Sequence, residues 1–195
     1  LGYLNSEIGK HPVYRYEVGG KPVTVFHPGV GAPLAAAFLD ELIAVGVTRY
    51  IVCGECGVLN KSIDAGYPLI LTAAIRDEGT SYHYLAPSRE VKPHPVAVNA
   101  LQQAFLNEGI EFRMAKTWTT DALYRETKGK RDARMAEGCD VVEMEAAALF
   151  AVAQFREVML GQVVYGGDLV VPEGWDFRNW VSRKDVRRNL FNVAV

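Results

Sequence analysis

Val141-Val142-Glu143-Met144-Glu145-Ala146-Ala147-Ala148-Leu149-Phe150 changes its period in mid-course. Its first residues suit a strand, while Glu145–Phe155 is apolar nearly all round, which predicts a buried helix. An extended Val141–Glu145 points Glu143 and Glu145 to one face, because strand side chains alternate with period two. Apolar neighbours on both sides then set two carboxylates at the edge of a hydrophobic layer, where ionised groups are costly unless partnered. The dipole at the helix start accounts for Glu145 alone. A diol such as ribose satisfies both, since an ionised carboxylate only accepts hydrogen bonds and a sugar supplies hydroxyl donors.

Short β-branched runs and helical stripes continue to alternate outward from this stretch. Val13–Val18 and Val23–His27 read as strands around Gly19-Gly20, a favoured hairpin turn. Leu34–Val45 reads as a helix, with Leu34, Phe38 and Leu42 at i, i+4 and i+8. Arg49–Cys53, Leu69–Ala74 and Gln162–Tyr165 suit buried strands. Pro95–Asn107 reads as a helix, Glu111–Thr117 as a strand and Arg178–Val193 as a last helix. The alternation predicts an α/β domain with one mixed, largely parallel central sheet flanked by helices.

Three predicted strands run into glycines: Pro28-Gly29-Val30-Gly31, Gly54-Glu55-Cys56-Gly57 and Gly166-Gly167-Asp168. Ligands of open α/β sheets bind beyond the carboxyl ends of the strands, and glycine lets backbone approach a ligand there. Three such ends predict a site, although any one of them alone reads as a tight turn. Asp168 ends the last of them, where a desolvated carboxyl group serves as a general acid.

Composition narrows the function. The 195 residues suit one domain over 1–195. Lys+Arg 21 against Asp+Glu 23, a net charge of −2 with both signs scattered, leaves no arm for nucleic acid and no patch for a membrane surface. No apolar run approaches the ~20 residues of a membrane span. Leu1-Gly2-Tyr3-Leu4-Asn5-Ser6 is neither a signal peptide nor a transit segment. Three cysteines cannot all pair, which favours a reducing, cytoplasmic setting.

Cys53-Gly-Glu-Cys56 fits C-x-x-C, but Gly57, Asn60, Gly66 and Pro68 leave no helix to activate a thiol, and Cys139 stands alone as a further ligand. Two small residues packing in a turn is the better reading. The four histidines show no metal spacing. His83 lies in a polar loop after a strand and is placed to line a site, whereas His11, His27 and His94 each neighbour a proline.

Arg76-Asp77-Glu78-Gly79-Thr80-Ser81-Tyr82-His83-Tyr84, Thr119-Thr120-Asp121-Ala122-Leu123-Tyr124 and Val142-Glu143-Met144-Glu145-Ala146-Ala147-Ala148 resemble the nucleoside phosphorylase superfamily. The branch is that of uridine phosphorylase, hexameric purine nucleoside phosphorylase and the methylthioadenosine nucleosidases. The segments fall in the family's order, and the likeness runs from about Val23 onward. It implies that Glu143, Met144 and Glu145 hold the ribose. Leu123 stands where a Phe stacks on the base, and Tyr124 is the aromatic after it. The first segment is most similar to uridine phosphorylase, whereas Gly167-Asp168 is similar to the Ser-Asp of the purine-cleaving members, whose Asp protonates the departing purine. Pro28-Gly29-Val30-Gly31 resembles the glycine loop near the nucleoside, and Gly54 and Glu55 fall in the phosphate segment.

That segment departs from the family, with Val52 in place of an Arg and Glu55 in place of a Ser or Thr. The amino-terminal phosphate loop, with its Gly and Arg, is not among these residues. The resemblance implies cleavage of a nucleoside N-glycosidic bond by an enzyme of glycosyltransferase type, assembled as a dimer or hexamer. Phosphate is the expected co-substrate, with water or a non-catalytic nucleoside-binding role as alternatives. No metal or other cofactor is expected, and the base stays open between purine and pyrimidine.

Overall fold

The computed structural model describes residues 2–171, 174–179 and 184–195. The chain opens with three antiparallel strands, β1 (Gly2–Ser6), β2 (Gly9–Val18) and β3 (Lys21–Phe26). The β2–β3 hairpin turns at Gly19-Gly20, where φ values of 56° and 75° suit a primed two-residue turn that favours glycine. These strands form a sheet of their own, whereas the sequence reading places all strands in one. Their side chains are mostly exposed, so no second apolar face fixes them to the central layer.

The central sheet holds β4 (Arg49–Val58), β5 (Pro68–Asp77), β6 (Glu90–Val91), β7 (Arg113–Thr120), β8 (Val141–Glu143), β9 (Met159–Val171) and β10 (Gly174–Asp176). Their order is β10-β9-β4-β8-β7-β5-β6, and β9 also pairs with β5. That pairing, through Leu69 opposite Val164 and Ile70 opposite Val163, closes β9, β4, β8, β7 and β5 into a barrel. β4–β9, β5–β7 and β7–β8 are parallel and the other pairings antiparallel, so the sheet is mixed, as expected.

Two strands do not stop where the sequence reading ends them. β4 continues through Gly54-Glu55-Cys56-Gly57, and Gly166-Gly167-Asp168 lies inside β9. Gly57 and Gly166 serve close packing rather than loop geometry. A Cβ on Gly166 would stand 2.8 Å from the carbonyl oxygen of Asp64, and one on Gly57 would stand 2.9 Å from Cγ1 of Val142. Glycine keeps the strand continuous there because nothing larger fits.

The helices are α1 (Ala32–Ala44), α2 (Pro95–Asn107), α3 (Lys128–Ala136), α4 (Ala146–Phe155) and α5 (Lys184–Ala194). α3 was not expected, because its residues are almost all polar. Its one buried side chain, Arg131, anchors it by donating from Nε to the Val170 carbonyl at 2.7 Å and from Nη2 to the Leu59 carbonyl at 2.9 Å. The last helix was expected from Arg178. Arg178 and Asn179 instead take left-handed turn conformations (φ 51° and 50°), α5 begins at Lys184, and residues 180–183 lie outside the described ones.

The core divides around the barrel wall. Ala32, Ala35, Ala36 and Leu39 of α1 meet Ala146, Ala147, Ala148 and Phe150 of α4 in one cluster, where alanines let the helices approach closely. Leu101 and Phe105 of α2 and Leu190 of α5 pack with Ile70, Val163 and Tyr165 in another. A third, with Leu59, Ile75, Trp118, Val142 and Val170, underlies the site.

Candidate active site

β8 ends at Glu143 and α4 begins after Glu145, so the two acids stand at a strand-to-helix junction. Glu143 is buried. Its Oε2 accepts the backbone N–H groups of Glu145 at 2.7 Å and Ala146 at 2.6 Å. Its Oε1 accepts the hydroxyls of Thr119 at 2.6 Å and Thr117 at 3.2 Å. Burial, and next the charge of Glu145, push its carboxyl up to about 7 against these donors. With both oxygens engaged within the protein, Glu143 organises the junction.

Glu145 is half-buried. Its Oε1 accepts the backbone N–H of Gly31 at 2.6 Å, across 114 residues of sequence. Burial raises its pKa, countered by the amides of Gly31 and Met144 and by His27. Gly31 has φ 96°, and a Cβ there would meet nothing within 4 Å, so its requirement is conformational. Gly29, at φ 83°, donates its N–H to Nδ1 of His27 at 3.0 Å. The expected glycine loop therefore reaches the expected ribose carboxylate. Met144 lies half-buried between the two acids.

Asp168 lies within β9, two residues past Gly166, and its Oδ2 accepts the indole N–H of Trp175 on β10. The same oxygen lies 3.7 Å from where a Cβ on Gly57 would be, so β4 passes close beside it. The buried thiol of Cys56 ties the acids together in space. It donates to the Tyr165 carbonyl at 3.3 Å, and burial, followed by the charges of Glu143, Asp168 and Glu55, raises its pKa well above the ordinary thiol value. Glu126, half-buried after a 3-10 turn at Leu123–Arg125, is pushed up to about 7 by burial and by the charge of Asp168. Leu123 and Tyr124 on that turn are exposed, Tyr124 to 92%.

Gly54 and Glu55 are corrected in geometry, since they belong to a strand and not to a phosphate loop. Glu55 accepts the hydroxyl of Tyr165 at 2.6 Å and pairs with Arg187 of α5 at 3.1 Å. Tyr165 packs among Leu101, Phe105 and Leu190, so this carboxylate is engaged on the α2–α5 side and its charge is offset there.

The first resembling segment has a structural explanation. Arg76 is 1% exposed, and its guanidinium donates to Ser81 Oγ, Ser88 Oγ and the carbonyls of Leu85 and Ala86. The segment after β5 is wound about this one cation. His83 lines an open groove of about 450 Å³ with Pro33, Gly79, Thr80 and Asp121. His94 caps α2, and His11 bonds to Ser6. Cys53 and Cys56 are free and lie three residues apart on one strand, roughly 10 Å in extended backbone. Their Cα atoms are then too distant for a disulfide.

Sequence reasoning missed Thr117 and Thr119 as the donors beneath Glu143. The signal was present as a Thr-x-Thr alternation in a strand, with Thr119 in register opposite Glu143. It also missed Trp175 and Glu126, which become neighbours of Asp168 only through tertiary structure.

Comparison with known proteins agrees with this fold. The family model of the phosphorylase superfamily matches residues 3–188. Guanosine phosphorylase of Halorubrum lacusprofundi is 31% identical over 168 residues, covering 86% of this chain and 70% of the relative. Uridine phosphorylase of Escherichia coli is 26% identical over 196 residues, covering 93% and 77%. The crystal structure of purine nucleoside phosphorylase from Toxoplasma gondii superposes with a TM-score of 0.81 at 22% identity, covering 95% of this chain and 78% of that one. The chain belongs to the phosphorylase superfamily.

Proposed function

We propose that the nucleoside whose N-glycosidic bond this phosphorylase-type enzyme cleaves carries a purine, with Asp168 as the acid that protonates the leaving base. The observation that carries this reading is the placement of Asp168, held by the Trp175 indole N–H where β4 passes close to it at Gly57. A pyrimidine leaving group would make no use of such an acid at this position, whereas a purine departs more readily once it gains a proton.

The reaction passes through a transition state resembling an oxocarbenium ion, with positive charge on the sugar and negative charge growing on the base. Glu145, with Oε1 fixed by Gly31, accepts from the ribose hydroxyls and holds the sugar. Met144 packs against the ribose, and Glu143 keeps the junction rigid from beneath. Leu123 and Tyr124 border the base. Phosphate is the nucleophile, and pairing of Glu55 with Arg187 removes the repulsion that an unpaired carboxylate would exert on it.

One observation favours water as a second reading: Val52 and Glu55 offer no donor where the family places an Arg and a hydroxyl. A homo-oligomer in the cytoplasm completes the proposal. Exposed Tyr14 and Tyr16 on β2, with Ile8 in the turn before it, support association, and no helix among the described residues is long and apolar enough to cross a membrane.

The test is base release from guanosine, inosine, adenosine and uridine, each with and without inorganic phosphate. Phosphate-dependent release from a purine nucleoside supports the reading. Release from uridine alone contradicts the purine assignment, and equal release without phosphate assigns the nucleophile to water.

A further inference from the structure

Leu123 leaves the base subsite without the aromatic face that its position would otherwise carry, and the neighbouring Tyr124 ring is exposed to 92%. Another aromatic stands close to the site acid. β10 pairs antiparallel with β9, setting Trp175 opposite Val170 and Asp176 opposite Leu169. From there the indole N–H of Trp175 reaches Oδ2 of Asp168. The ring of Phe177 meets Trp175 edge-on, with centroids 5.5 Å apart and planes inclined at 68°.

The indole is thus fixed at two points, by its nitrogen and by an aromatic edge, yet it remains 62% exposed. A large apolar side chain held in one orientation with its surface open is arranged for a planar partner. The partner must lie within reach of Asp168, because the indole is hydrogen-bonded to that carboxylate.

We propose that Trp175 is the stacking surface of the base subsite and, through its indole N–H, the positioning residue of Asp168. The proposal rests on the purine reading above and deepens it by naming what recognises the base. A fused two-ring base offers the larger stacking area, and its imidazole edge is the part an acid must address. The N–H fixes one carboxylate oxygen of Asp168 and leaves the other for the base. Stacking tolerates any π face, so discrimination among purines falls to other groups around the acid. Glu126 is the neighbouring acceptor on the α3 side.

Two variants separate the two roles. Trp175→Ala removes both the face and the donor, while Trp175→Phe keeps a face and loses the donor. Guanosine affinity is measured by isothermal titration, and turnover is measured with guanosine and with N7-methylguanosine, whose base leaves without taking up a proton. Trp175→Ala is expected to weaken guanosine binding about 10-fold, the size of a lost base–aromatic stack. Trp175→Phe is expected to keep binding within about threefold while guanosine turnover falls about 10-fold and N7-methylguanosine turnover holds.

Unchanged binding in Trp175→Ala overturns the stacking role. An equal fall on both substrates in Trp175→Phe overturns the positioning role and makes Trp175 a structural residue. Absence of guanosine binding by the unmutated protein overturns the purine reading and this inference with it. A protein that binds guanosine without cleaving it overturns the positioning role, and the affinity comparison then decides the stacking role.

Discussion

The carboxylate of Glu143 accepts the backbone N–H groups of Glu145 and Ala146 at 2.7 and 2.6 Å, so one acid of the pair caps the helix on which the other stands. The two have separate tasks despite being one residue apart on each side of Met144. Glu143 has spent its acceptor capacity within the protein, on two amides and two threonine hydroxyls. Glu145 has one oxygen fixed by Gly31, and its other oxygen is the one the proposal gives to the ribose.

Glu143→Ala should destabilise the fold by about 2–4 kcal/mol, because a buried cap and two buried hydroxyls lose their acceptor. Glu143→Gln should be far milder. Its amide oxygen keeps the helix N–H groups, and its NH2 donates to Thr117 and Thr119, whose hydroxyls rotate to accept. Chemical denaturation of both variants checks this; equal losses would show that the negative charge itself is required.

Stability should also depend on pH in a defined window. The folded pKa values of Glu143 and Glu126 are raised to about 7, and that of Glu145 is raised. A raised carboxyl gives a contribution that is fully present below its unfolded value near 4.5 and is lost as pH rises through the folded value. Unfolding free energy should therefore decline between about pH 4.5 and 7, and Glu143→Gln should flatten the decline. The carboxyls lowered by partners, Asp40, Glu90 and Glu137, act in the opposite sense below this window. A flat or rising profile from pH 5 to pH 7.5 would contradict the assignment.

Glu145→Gln should weaken nucleoside binding at least several-fold, since a charged hydrogen bond contributes on the order of 1.5–3 kcal/mol. The amide can still accept from Gly31, so the fold should survive. Titration calorimetry reads the change, and unchanged affinity would assign Glu145 to the helix start alone.

Cys53→Ser with Cys56→Ser should leave activity and metal content unaltered, with a stability cost from the buried Cys56 site. The strand separates the two thiols, and among the described residues no group of three metal-ligating side chains is found. Zinc bound stoichiometrically by the unmutated protein and lost in the double variant would overturn this.

Much of the fold was legible because its signals are local. The stripe of Leu34, Phe38 and Leu42, the Gly19-Gly20 turn and Pro95 at the start of α2 each act within a few residues. The strand ends were misread for a physical reason: glycine admits both a turn and a close strand contact, and Gly57 and Gly166 are of the second kind. α3 was invisible because it lacks an apolar stripe and is held by Arg131 alone of its buried side chains. In the site, the link from Gly31 to Glu145 followed the resembling motifs. The division of labour between Glu143 and Glu145 required the positions of Thr117 and Thr119, and Trp175 reaches Asp168 only through the β9–β10 pairing.

The most direct test of the central claim is turnover by Asp168→Asn on guanosine and on N7-methylguanosine, run with phosphate present and absent. Asparagine keeps the size of the side chain and an acceptor for Trp175, so only the transferable proton is lost. General acid catalysis contributes about 10²–10⁴-fold, and guanosine cleavage should fall by that order while N7-methylguanosine cleavage changes little. A uniform fall on both substrates would contradict the account and leave Asp168 as a residue that only shapes its strand.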